Sequence, residues 1–160
     1  RMAISQLVIA AALVTADFCA KPIEGGVGNP QFCSFAIEQE VSTPYFSIDV
    51  EAGFLVGLHR EGRQLQVQST LFKNQDTLTI EVLDGPSLPA WTDCATVEEF
   101  EVRGVKWKDC RTTFHGHYTR RLAAAMSDRH VLIEYSYTSL ATNMAPALER
   151  MTQSIKVIAN

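Results

Sequence analysis

The sequence predicts an α+β domain, an antiparallel β-sheet meander packed by a C-terminal helix, and three stretches carry that expectation. The run from His130 to Thr138 is dense in β-branched, aromatic and leucine side chains and ends at a polar cluster, the composition of a strand. After it, Met144, Leu148, Met151 and Ile155 recur at spacings of four, three and four and so share one face of a helix. Between Tyr45 and Val82, apolar and polar residues alternate in short runs separated by turn residues, as in antiparallel strands with one wet face.

In chain order, Asp17 to Gln31 holds Pro22, Pro30, Gly25, Gly26 and Gly28 and reads as a linker. Phe32 to Val41 allows a short extended segment with Glu38 and Glu40 on one face. The β core starts at Tyr45, where Phe46, Ile48 and Val50 alternate with Ser47 and Asp49; Gly53 then permits a turn into Phe54 to Leu58. Glu61-Gly62-Arg63 signals a hairpin leading to Leu65 to Leu71, with Leu65 and Val67 opposite Gln64, Gln66 and Gln68. Lys73 to Asp76 is a further polar turn before Leu78, Ile80 and Val82, and Asp84 to Pro89 breaks the pattern into a loop running past Trp91 to Cys94. Thr96 followed by Glu99 has capping-box spacing, which predicts a short helix from Val97 to Glu101. Val105 to Met126 returns to strands, with Val105, Trp107 and Asp109 on one face, Lys106, Lys108 and Cys110 on the other, and Gly116 at a bend or bulge. The expected count is about seven strands. In the last helix Thr142 or Asn143 can serve as cap, and Pro146 fits because it falls in the first turn.

At 160 residues, 46% hydrophobic and 20% charged, the chain has the composition of one globular domain. Its net charge of -4 argues against general nucleic-acid binding. Met2 to Ala16 carries no charge, and an apolar core from Leu7 to Val14 precedes the small-residue pattern Val14-Thr-Ala16, as in a secretory signal peptide. The alternative is a retained hydrophobic helix, whose fifteen residues would span roughly 22 Å against a hydrocarbon core of ~30 Å. The four cysteines fall as neighbouring couples, Cys19 with Cys33 and Cys94 with Cys110, and in an exported chain an even count suggests disulfides. Four cysteines allow three pairings, and free buried thiols are the competing reading. The expected organisation is a signal peptide or retained helix over 1–16, a disulfide-tied linker over 17–43, and a single α+β domain over 44–160.

Two patches resemble the PsbP-like family, which includes the extrinsic photosystem subunit PsbP and DcrB-type lipoproteins. Tyr45-Phe-Ser-Ile-Asp-Val-Glu-Ala-Gly-Phe54 is similar to the family's opening strand and its glycine-aromatic turn, and His130 to Ile158 is similar to its closing strand and helix. With the meander between them, the resemblance spans about residues 45 to 158. It implies an antiparallel sheet packed by helices in a non-catalytic accessory or binding protein, often exported.

Two sets of residues stand out chemically. His115 and His117, one residue apart, would share a strand face and could offer two imidazoles to zinc or another divalent metal, with Glu134 or His130 as a third ligand. Two solvent-facing histidines beside a glycine bulge are the alternative. The second set is basic. From Arg103 to Arg121, six cations face the single Asp109, a balance of +5 that leaves -9 for the rest of the chain. Such asymmetry steers an acidic protein face or a membrane-associated complex toward one side, with Lys106, Trp107, Lys108, Arg111, Tyr118, Arg120 and Arg121 as the contact residues. Alternatively Trp107 is core and the lysines a solvated strand face. No Gly-x-Ser-x-Gly elbow, thiol-protease signature or phosphate-binding glycine loop is present. The expectation is a non-enzymatic, extracytoplasmic protein-binding module without a cofactor, either an accessory subunit or an inhibitor or immunity protein. A small-ligand or metal-binding protein using His115 and His117 is the second reading, and a hydrolase the third.

Overall fold

Alternating burial shapes most of this chain. The computed structural model describes residues 31–69, 76–138 and 145–159 together with Cys19, Pro22, Glu24 and Gly25. Its strands are β1 (Cys33–Ser34), β2 (Gln39–Ser42), β3 (Phe46–Val50), β4 (Leu55–His59), β5 (Gln64–Gln68), β6 (Thr77–Asp84), β7 (Thr96–Val102), β8 (Val105–Phe114), β9 (His117–Ala125), β10 (Arg129–Thr138) and β11 (Lys156–Val157). The one helix among the described residues, α1, spans Ala145–Gln153. The fold is therefore mostly antiparallel β-sheet, and its helical part is minor.

Eight strands form a large sheet in the order β1-β4-β5-β6-β10-β9-β8-β7, and three form a small one in the order β11-β3-β2. The large sheet departs from a simple meander at two places, where β1 pairs with β4 and where β6 pairs with β10. Strand β10 lies between β6 and β9, pairing Arg129 with Asp84 on one edge and His130 with Ala125 on the other. The β7–β8–β9 unit is thus joined to the rest of the sheet through β10.

The small sheet and α1 cover one face of the large sheet over a single apolar cluster that includes Phe46, Ile48, Leu65, Leu78, Ile133 and Leu148. Each is at most 1% exposed, and burying one such side chain contributes about 1.5–3 kcal/mol. Leu148 and Met151 face this core as the helical spacing predicts, and Pro146 occupies the exposed first turn. Ile155 lies beyond the helix end but still packs against the cluster. Met144, Thr142 and Asn143 are outside the described residues, as are residues 1–18.

Several expectations change. The capping-box helix over Val97 to Glu101 is strand β7, in register with β8 from Thr96 opposite Arg111 to Val102 opposite Val105. The decisive local feature is Arg103-Gly104, whose φ values of 52° and 78° make a two-residue primed hairpin turn. A ladder with β8 then satisfies the backbone that a five-residue helix would leave largely unpaired. Gly116 does not form a bulge within a strand; with His115 it makes a second turn of this kind, at φ 76° and 47°. The 17–43 segment also exceeds a linker: β1 pairs with β4, β2 pairs with β3, and Phe35 and Val41 are 1% and 3% exposed. Its apolar residues are spaced too widely to show a period, so their burial depends on the sheets they join. The strand expected to reach Leu71 ends at Gln68, and residues 70–75 lie outside the described set.

Both cysteine couples are bonded, Cys19 to Cys33 and Cys94 to Cys110, with Cα separations of 5.8 and 5.4 Å. In the chain-entropy model each contributes roughly 3 kcal/mol. The first holds the N-terminal segment at the β1 edge, where the Gly25 amide donates to the Leu58 carbonyl at 2.8 Å. The second ties the 85–95 loop to β8.

Two outcomes test this packing. Leu148→Ala is expected to destabilise by about 2–5 kcal/mol, read as a lower urea midpoint with an unchanged m-value. The second concerns Asp76, a fully buried residue whose carboxylate oxygens meet hydrogen-bond geometry with no described group. Burial pushes its pKa up, opposed only in part by the Thr138 amide. Folding therefore favours the protonated form: Asp76 costs stability above its raised pKa and nothing once pH falls below the ordinary 3.8. Asp76→Asn should stabilise the protein at neutral pH, and denaturation curves should show that gain vanish in acid; a gain independent of pH would refute the assignment.

Candidate functional site

Strand alternation divides the basic cluster between two faces of the sheet. On the outer face, Lys108 donates to the Pro89 carbonyl at 3.0 Å and lies 4.0 Å from Glu99. Arg121 binds Asp93 at 2.6 Å and approaches Glu134 at 4.0 Å. Both cations flank the half-buried Trp91 ring, at 5.9 and 5.6 Å. The hydrogen bond from Arg121 holds the Asp93 carboxyl below its ordinary pKa. These charges clamp the 85–95 loop onto β8 and β9.

On the inner face, Asp109 is only 4% exposed and takes three contacts from Arg120, Nε at 3.2 Å to each oxygen and Nη2 at 2.8 Å. Arg120 Nη1 donates to Glu149 on α1 at 2.8 Å, and Glu149 also accepts a short hydrogen bond from the Tyr135 hydroxyl. Burial opposes the Arg120 charge, but the hydrogen bonds and attraction of Asp109 outweigh it and hold the guanidinium above its usual value. Burial, then Glu149, pushes the Tyr135 phenol up to about 12, so it remains a donor at neutral pH. This network joins β8, β9, β10 and the helix. Arg120, Arg121 and Lys108 are therefore committed within the chain and do not form one contact patch. Arg111 makes only a 3.5 Å approach to Asp109, with its side chain 59% exposed.

The histidine set is not brought together. His115 sits in the turn after β8 and His117 opens β9, so they do not share a strand face. His117 pairs with Thr138, whereas His130 lies eight positions along β10, roughly 27 Å away at the usual strand rise, and Glu134 is about 14 Å along. His130 Nδ1 is also 2.7 Å from the Gly85 carbonyl. Among the described residues, the three potential metal donors that cluster are Asp93, Cys94 and Cys110, and both sulfurs are in a disulfide.

Trp107 has a different setting. Beyond the edge covered by α1, the β7–β8 hairpin overhangs the core and leaves a groove against the C-terminal segment. Two cavities of about 220 and 260 Å³ adjoin there, sharing Val102, Trp107 and Ile155. Phe100 and Val102 are 42% and 48% exposed, and the Phe100 ring lies parallel to Trp107 at 6.3 Å. Leu122 lies on β9, and Thr152, Gln153 and Val157 complete the opposite wall. Exposed Arg103 and Lys156 line its rim, with Lys106 on the same hairpin; none of the three has an ion pair within 4.0 Å among the described residues. Sequence reasoning missed Phe100, which it placed on a helix, and Val102, which lies just past that helix's expected end. Their two-residue spacing before Arg103-Gly104 is the signal that locates them.

Comparison with known proteins bears on the architecture. No protein-family model and no curated protein matches the sequence. The solution structure of cyanobacterial PsbP (CyanoP) from Synechocystis sp. PCC 6803 matches with a TM-score of 0.58 at 10% identity, covering 84% of this chain and 96% of that one. The fold is PsbP-like. At that identity the likeness is one of fold, and the groove and buried network of this PsbP-like domain are described from its own residues.

The network yields a graded prediction. Asp109→Asn, which leaves Arg120 short of its main partner, is expected to cost about 3–5 kcal/mol, whereas Arg111→Gln should change stability by about 1 kcal/mol or less. Urea unfolding of both variants measures the contrast, and equal costs would contradict it.

Proposed function

We propose that this chain is a non-enzymatic extracytoplasmic binding module, an accessory subunit of a membrane-associated assembly. Its partner contact is the groove between the β7–β8 hairpin and the C-terminal segment. The observation that carries this reading is the groove itself: exposed Phe100 and Val102 beside Trp107, rimmed by Arg103 and Lys156, which have no ion pair among the described residues. Aromatic anchors in a concave apolar site with a charged rim are the usual source of interface energy. The rim charge selects the occupant, a protein segment that inserts an apolar side chain and carries carboxylates at its flanks. Two disulfides are consistent with an oxidising compartment, and an accessory role agrees with what the PsbP-like resemblance implies.

The test is capture from a native membrane-containing extract without reductant, comparing the wild-type chain with variants at exposed positions. Phe100→Thr with Val102→Thr keeps β-propensity while removing the apolar wall, and Arg103→Glu with Lys156→Glu reverses the rim. A stoichiometric partner held by the wild type and by a distant Glu38→Lys control should fall about tenfold or more with either pair, the scale of a lost hot spot. Equal retention by all four proteins rejects the groove as the contact.

A further inference from the structure

Two rows of side chains cross the inner face of β8, β9 and β10 beyond the end of the apolar core. By register one row is Thr113, Tyr118 and Tyr137, and the other is Arg111, Arg120 and Tyr135. Together they line a cavity of about 220 Å³ that adjoins the groove at Arg120. Tyr118 and Tyr137 stack across the strands with ring centroids 5.0 Å apart and planes 16° from parallel. On its other side Tyr118 has only the small, exposed Thr113 as cross-strand neighbour. Adjacent strands are spaced about 4.7–4.9 Å apart, so the space above Thr113 is that of one further plate in the stack.

The charge at the cavity is also unevenly spent. Arg120 is committed to Asp109 and Glu149. Arg111 lies on β8 two residues from Thr113, on the same face, and lines the cavity. Among the described residues its one polar side-chain approach is the 3.5 Å contact with an Asp109 carboxylate that Arg120 already occupies. The guanidinium therefore has donors free for a planar anion, for which a carboxylate has matching geometry. Neither the Tyr118 nor the Tyr137 hydroxyl has a hydrogen-bond partner among the described residues.

We propose that this cavity binds small aromatic carboxylates, the ring stacking on Tyr118 above Thr113 and the carboxylate pairing with Arg111. Neither this proposal nor the protein-binding groove requires the other.

Benzoate is the probe and cyclohexanecarboxylate its saturated counterpart, followed by amide-shift titration and saturation-transfer NMR on the full chain. Benzoate should bind saturably in the millimolar range expected of so small a ligand, shifting the amides of Thr113, Tyr118 and Tyr137. Cyclohexanecarboxylate, which cannot stack, should bind about fivefold more weakly, and Arg111→Gln should weaken benzoate about tenfold. Thr113→Phe places a ring of the protein's own in the slot and should abolish binding; both substitutions are at exposed strand positions and preserve the fold. Absence of saturable benzoate binding overturns the proposal. So does binding that survives Thr113→Phe and Arg111→Gln, or equal affinity for the two acids.

Discussion

Because β10 hydrogen-bonds to β6 on one edge and β9 on the other, the two halves of the large sheet are one layer only while its ten residues keep their register. A slip of one residue would turn Val131, Ile133 and Tyr135 away from the core and bring Leu132 and Glu134 into it. The register is pinned from the inner face at two successive positions. Ile133 is buried in the apolar cluster, and Tyr135 reaches Glu149 on the helix above it. The segment after β10 supplies α1, so the central strand and its cover are neighbours in sequence as well as in space.

The inner polar network extends that constraint sideways. Arg120 on β9 links Asp109 on β8 to Glu149 on α1, where the apolar core thins toward the sheet edge. Charge takes over there from hydrophobic contact as the means of fixing the helix against the sheet. On the outer face the Cys94–Cys110 disulfide and the Arg121–Asp93 pair hold the 85–95 loop in place. The apparent basic surface of residues 103 to 121 is consequently much reduced. Among the described residues, Arg103 at the hairpin tip and Lys156 in the C-terminal segment have no ion pair and lie beside the apolar groove. The division of labour is physical: alternating side chains on neighbouring strands go to opposite faces, and each face has its own acidic partners.

Much of the framework was legible because it rests on period. The strands around Ile48, Val67, Ile80 and Ile133 and the helix through Leu148 and Met151 each carry a local pattern that burial explains. The β7 error shows the limit. Thr96 and Glu99 satisfy a capping rule, yet Arg103-Gly104 forms a hairpin turn and β8 offers a ladder, and the ladder prevails. The histidine pair failed for a related reason: one residue at a positive φ changes a strand into a turn, and spacing along the chain no longer states which way a side chain faces.

By itself the sequence determined an antiparallel β-rich α+β fold, the core faces of its principal strands and helix, and two local cysteine couples. These follow from side-chain periodicity and short separations, which operate within a few residues. Only the tertiary structure decided the disulfide pairing, the place of β10 between β6 and β9, the cations already neutralised, and the groove formed by Phe100, Val102, Trp107 and Ile155. Each of those depends on residues distant in sequence meeting across strands or layers, and no local pattern encodes which partner arrives.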